Sequence, residues 1–152
     1  MKVQEVMTRG VRSCRPESNL AEAVKDMWEA DCGVLPVVGH DNRVVGMITD
    51  RDICVAVGTK GRKADRIAVR EVARDLNVYT CLATDDTTTA LKAMQTHKVR
   101  RLAVVDQDGH LVGIVSLNDI VTHAGAASPS QIANTLAGIC EHRPPVVTPS
   151  AA

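Results

Sequence analysis

The chain has no phenylalanine, one tryptophan (Trp28) and one tyrosine (Tyr79) in 152 residues. Two aromatics cannot build the stacking platforms on which single-stranded nucleic acid is held. Neither sign of charge is in excess, with 18 Lys and Arg against 18 Asp and Glu. That balance argues against a broad electrostatic footprint for nucleic acid or anionic lipid. No apolar run approaches the roughly eighteen residues of a membrane span. The five cysteines (14, 32, 54, 81 and 140) form no C-x-x-C pair, and no apolar segment follows Met1. Reduced thiols and a cytoplasmic setting are therefore expected. The histidines are scattered, none at metal-ligand spacing with a cysteine, so no metal is expected. No G-x-S-x-G, H-E-x-x-H or Walker loop is found, and the chain does not read as an enzyme.

What is present is an aliphatic chain, 45% hydrophobic and rich in valine, which favours buried strands. It also repeats itself. A shift of 67 residues superposes Val11 on Val78, Cys14 on Cys81, Met27 on Met94, Leu35 on Leu102, Gly46 on Gly113 and Asp52 on Asp119. The register runs without a gap over the 46 positions from 11 to 56, with 13 identities. Upstream, Val3-Gln-Glu-Val6 matches Val69-Arg-Glu-Val72 at an offset of 66. Two copies of one unit are implied.

Each copy reads β-α-β-β-α. An extended piece (Val11–Cys14; Val78–Cys81) precedes a helix of about four turns, with Ser18 and Asp85 as N-cap candidates. Two strands follow, Val34–Val38 and Val44–Ile48 in the first copy, Leu102–Val105 and Leu111–Val115 in the second. A last helix starts after Thr49 and Ser116. The expected fold class is α+β: two pseudo-twofold-related units packed sheet to sheet, a short C-terminal helix and a disordered tail. The expected organisation is 1–58, first unit; 59–68, exposed basic linker; 69–124, second unit; 125–152, helix and tail. In the C-terminal helix, Ile132, Leu136, Ile139 and Cys140 would form the apolar face.

The most informative segments are Gly46-Met-Ile-Thr49-Asp-Arg-Asp52 and Gly113-Ile-Val-Ser116-Leu-Asn-Asp119. Each is a strand, then Ser/Thr-x-x-Asp opening a helix. One reading is a capping box, which explains the spacing of three. The other is a nucleoside-phosphate site. A helix N-terminus attracts phosphate, the hydroxyl adds a hydrogen bond, the carboxylate suits vicinal ribose hydroxyls, and the glycine leaves room for a flat base. The two readings are compatible.

Two units of this length, each ending in Gly-h-h-Thr/Ser-x-x-Asp-Ile (h, apolar), resemble a tandem cystathionine-β-synthase (CBS) domain pair, or Bateman module. The resemblance covers about Val3–Ala124. It implies clefts between the units that bind adenosine-containing ligands such as AMP, ADP, ATP, NAD or S-adenosylmethionine, and it implies homodimers. In the first cleft, Asp52 would hold the ribose, Thr49 a ribose or phosphate oxygen and Arg51 the phosphate, with Cys14, Val34 and Pro36 around the base. In the second, Asp119 and Ser116 would take those roles, with Cys81 and Ala103 against the base and Arg100 and Arg101 on the phosphate, assisted by His97 and Lys98. The competing reading of His97–Arg101 is a solvated helix end whose cations complement the helix dipole. The copies depart from each other: Asn118 stands where Arg51 does, and Ala103 where Pro36 does. The clefts are expected to be chemically unequal.

The resulting expectation is a non-catalytic sensor of adenine nucleotides, acting in trans on a protein partner as a homodimer, with no nucleic-acid or membrane partner. The alternatives are an S-adenosylmethionine-binding module, a thiol-redox module using Cys14 and Cys81, and a structural dimerisation module without ligand. Trp28, which matches Gln95 in the second copy, is either an interface anchor or core packing.

Overall fold

A computed structural model describes residues 1–73, 78–123 and 125–141. Its elements are α1 (Val3–Val6), α2 (Leu20–Glu29), β1 (Val34–Val38), β2 (Val44–Thr49), α3 (Asp50–Lys60), α4 (Arg70–Ala73), β3 (Thr80–Leu82), α5 (Thr87–His97), β4 (Arg101–Val105), β5 (Leu111–Ser116), α6 (Leu117–Thr122) and α7 (Pro129–Cys140). The sheets are β1-β2 and β3-β4-β5.

The repeat is visible in the hydrogen bonding. Val37 pairs with Gly46 and Val104 with Gly113, and both hairpins carry a bulge at the next residue. Cys81 pairs in parallel with Val104; Cys14 makes the matching bridge to Val37, but that single bridge is all that remains of the first unit's leading strand. Leu35 and Val37 point into the first unit's core, and Leu102 and Val104 into the second's. Val34, Val38, Ala103 and Val105 lie on the opposite faces and are buried too. β2 contacts β4, and the hairpin ends meet where Val44 N–H donates to the Gly109 carbonyl and Leu111 N–H to the Asn42 carbonyl. These partners interchange under the shift of 67, so a local twofold passes beside the Arg43–His110 bridge.

The units exchange their leading segments. Val3, Val6 and Met7 of the first copy are buried in the core of the second, with Leu102, Val104 and Ile120. Ile67, Val69 and Ala73 of the second are buried in the core of the first, with Leu35, Ile48 and Ile53. Backbone bonds fix both exchanges: Val3 N–H donates to the Asp85 carbonyl, and Val69 N–H to the Ser18 carbonyl at 2.8 Å. Thr8 pairs with Ile114 in a single antiparallel bridge. The stretch expected as an exposed linker is thus partly structural. Its start is the last turn of α3, Ala64–Arg66 is a 3-10 turn, and Ile67 is fully buried.

The helices are shorter than expected, at 10 residues for α2 and 11 for α5, about three turns each. The caps lie one residue later. Asn19, not Ser18, accepts from Glu22 N–H at 2.9 Å. Asp86 precedes α5 without a side-chain cap, while Asp85 accepts from Leu82 N–H. α7 packs along α5, with Gly138 against Gln95. Its inner face carries Thr135 and Ile139, while Leu136 and Cys140 are exposed. The face is therefore turned from the one read in the sequence, because close approach selects the small residue at 138. The tail from 142 onward lies outside the described residues.

Gly113 is where the exchange is tightest. A Cβ there would lie 2.5 Å from the Thr8 carbonyl oxygen, whereas at Gly46 the nearest atom is 3.4 Å away. Gly113→Ala should therefore cost about 1–3 kcal/mol and lower the melting temperature by about 2–10 °C. Gly46→Ala should move it less; thermal unfolding of both variants checks the order.

Candidate functional site

β2 and β5 run without a loop into α3 and α6. Thr49 and Ser116 end the strands at φ −113° and −112°, in extended geometry, and cap the helices. Thr49 Oγ1 donates to Asp52 Oδ2 at 2.6 Å and accepts from Asp52 N–H at 3.2 Å; Thr49 N–H donates to the same Oδ2 at 2.9 Å. Ser116 and Asp119 repeat this at 2.6, 3.1 and 2.7 Å. The capping box is thus fully formed in both copies. It engages the hydroxyl proton and one carboxylate oxygen. Oδ1 accepts no hydrogen bond among the described residues, and the hydroxyl oxygen accepts only the N–H of Asp52 or Asp119, so Oδ1 and the second lone pair of the hydroxyl are left to receive a ligand's donors.

The glycines have another role than the one read from the sequence. Gly46 Cα faces Val37 and Ala73, and Gly113 Cα faces Met7 and Thr8. The space each leaves is filled by the exchanged segment.

A hollow of about 270 Å³ opens beside the first motif, lined by Arg51, Asp52, Val55, Ala56, Thr59, Lys60 and Val72. Of these, Arg51 and Asp52 are the residues named from the sequence; Val55, Thr59 and Lys60 were missed. Their spacing of about one turn (Val55) and two turns (Thr59, Lys60) from Asp52 along α3 was the available signal. A second hollow, about 470 Å³, is lined by Val24, Met27, Trp28, Asp31, Cys32, Gly33, Asp50 and Arg101. Arg101 pairs through its backbone with Ser116, yet its side chain lines this groove beside Asp50, across the local twofold from Asp119's own unit.

The residues assigned to the base are less accessible. Cys14, Val34, Cys81 and Ala103 are buried, as is Pro36, and none lines either hollow. Cys14 N–H donates to the Pro36 carbonyl at 3.0 Å. Burial pushes the Cys14 thiol from its ordinary 9.0 to about 11 and the Cys81 thiol to about 12. Burial thus favours the neutral thiol at both positions, which makes each a weaker nucleophile. His97 stacks on Tyr79, and Lys98 pairs with Glu141 at 3.0 Å, so both are engaged with their own surroundings. Arg100 is exposed, and its carbonyl accepts from Leu117 N–H.

One further cluster was passed over in the sequence. The β4–β5 turn gathers Asp106, Asp108 and His110, whose ligand atoms lie within 4.8 Å of one another. Asp106 accepts from the N–H groups of Asp108 and His110. The His110 N–H above all holds its carboxyl below the usual carboxylate range. These bonds close the turn. Among the described residues no helix is long and apolar enough to cross a membrane.

Comparison with known proteins agrees with this architecture. The CBS domain family profile matches residues 3–58 and 69–125. Hypoxic response protein 1 of Mycobacterium tuberculosis is 36% identical over 120 residues, spanning 79% of this chain and 82% of that protein. A crystal structure of hypoxic response protein I, which has two coordinated zinc ions, superposes with a TM-score of 0.74 at 33% identity, covering 81% of this chain and 98% of that one. A CBS domain protein from Pyrobaculum aerophilum, complexed with AMP, gives a TM-score of 0.74 at 24% identity over 83% of this chain and 95% of that one. The chain belongs to the CBS domain family and carries two copies of the domain in tandem.

Proposed function

We propose that the chain is a non-catalytic regulatory module that binds an adenosine-containing nucleotide of the AMP, ADP, ATP or NAD class in the clefts between its two units. One observation carries the reading. The hydroxyl–carboxylate pair is built twice, and in each copy a carboxylate oxygen has no donor among the described residues at a helix start. A ribose hydroxyl supplies the missing donor, and in the first copy Arg51 stands beside it as the phosphate partner. AMP, which the Pyrobaculum protein of the same fold carries, is the natural first probe. Ligand binding across two exchanged units would bias their relative geometry, and a partner protein reads that change in trans.

The chain is expected to gain about 5–10 °C in melting temperature at a ligand concentration one hundred times Kd. Asp52→Asn and Asp119→Asn keep an acceptor for the cap while removing the charge. Each should weaken calorimetric binding of AMP by about 10–100-fold at its own cleft, the worth of a charge-assisted hydrogen bond. Two variants that bind AMP as the parent does would overturn the site.

We also propose that the active form is a homodimer joined through α2. Trp28 is 87% exposed and Val24 44% exposed on that helix. Their counterparts in the second copy are Gln95, against which α7 lies, and Leu91, which is buried. The face that α7 closes on one unit is open on the other. An exposed Trp on such a face is typical of an interface hot spot. Trp28→Ala should raise the dimer dissociation constant by about 30-fold or more; sedimentation showing an unchanged dimer would contradict it.

A further inference from the structure

We propose that the two clefts take ligands of different charge: the cleft at Asp52 selects a phosphorylated adenosine ligand through Lys60 and Arg51, and the cleft at Asp119 does not. This rests on the reading of both clefts as adenosine sites.

The hollow beside Asp52 is walled by one face of α3. Asp52, Val55, Ala56 and Thr59 follow one another along it, with Arg51 and Lys60 at its margins. Helical side chains tilt toward the N-terminus, so Lys60 leans back over Thr59 and Ala56 toward Asp52. Among the described residues neither Arg51 nor Lys60 has an ion-pair partner. The nearby carboxylate on α4, Glu71, feels Lys60, but it is bonded to Arg62 at 2.7 Å and to Ala68 N–H at 2.9 Å. Asp50, the other acid of the first turn, lines the groove with Gly33 and Trp28 instead. Two residues along a helix is a rotation of about 200°, which separates Asp50 from Asp52. Among the described residues that line it, the hollow therefore holds two cations and one carboxylate.

The second copy lacks both cations, one by substitution and the other for a structural reason. The shift of 67 continues through Gly58 and Gly125, so that Asn118 stands at the place of Arg51, Ala126 at Thr59 and Ala127 at Lys60. α6 stops at Thr122, five residues short of the match to the end of α3. Gly125 turns the chain at φ +81°, and Ala126 is buried while its carbonyl accepts from Thr87 Oγ1. The helical turn that carries Lys60 in the first copy has been diverted into the core to start α7. His123 does not replace it, since its Nδ1 lies 2.6 Å from the Asp119 carbonyl oxygen. Arg100 is exposed and its carbonyl accepts from Leu117 N–H, while Arg101 lines the groove with Asp50. Arg9 is bonded to the Gln4 carbonyl.

A lysine in the last turn of a helix also complements the helix dipole. That role changes stability but not the choice between ligands, so the test is a ratio of affinities. The full chain is titrated calorimetrically with adenosine and with ADP. The parent is expected to prefer ADP at one site. Lys60→Gln with Arg51→Gln should reduce the ADP-to-adenosine affinity ratio at that site at least about tenfold, and Asp119→Asn should leave the ratio in place. A ratio unmoved by the double substitution, or one abolished by Asp119→Asn, overturns the charge assignment while the clefts stand as adenosine sites. A parent that binds neither probe overturns the adenosine reading itself.

Discussion

The exchange of leading segments is the constraint from which the rest of the structure follows. A β-hairpin with one or two helices exposes an apolar sheet face that it cannot cover alone. Here each hairpin is completed by residues from the other copy: Val3, Val6 and Met7 on one side, Ile67, Val69 and Ala73 on the other. Neither core exists until both copies are present. The glycines of the two motifs are read most simply in this light, since Gly113 gives the Thr8 carbonyl its place on the sheet. Val72 of the exchanged segment also lines the hollow beside Asp52.

On this symmetric frame the copies diverge where a ligand or partner would touch them. The hydroxyl–carboxylate pairs agree to about 0.2 Å in their bonds. The helices behind them do not: α3 runs 11 residues and α6 only 6. The residues released by the shorter helix begin the turn to α7, which covers α5 and leaves α2 as the open helical face. One change in helix length thus accounts for the loss of the Lys60 counterpart and for the difference between the two outer faces.

Much of this was legible in the sequence, for physical reasons that differ by element. The hairpins were, because Val-rich runs separated by Gly-His-Asp-Asn and Asp-Gln-Asp-Gly can hardly pair otherwise. The capping boxes were, because the spacing Thr49 to Asp52 is set by helix geometry. The exchange was not. The match of Val3–Val6 with Val69–Val72 shows a repeated element, and periodicity says nothing of which copy's core receives it. Ile67 was hidden inside a basic stretch, where one apolar residue carries no pattern. Lys60 was hidden because it lies two turns beyond the motif. The face of α7 was misjudged because Leu136 fits the apolar period, whereas packing on Gln95 chose Gly138.

If neither core is complete without the other copy, the two units must open together. Native-state hydrogen exchange on Ile67→Ala tests this most directly, because Ile67 is chained to the second copy yet buried in the first. A loss of about 2–5 kcal/mol is expected for such a truncation. The account predicts that protection falls equally at Val37 and Ile48 of the first unit and at Val104 and Val115 of the second. A fall confined to the first unit, with the second unchanged, would show that the units fold independently and would contradict it.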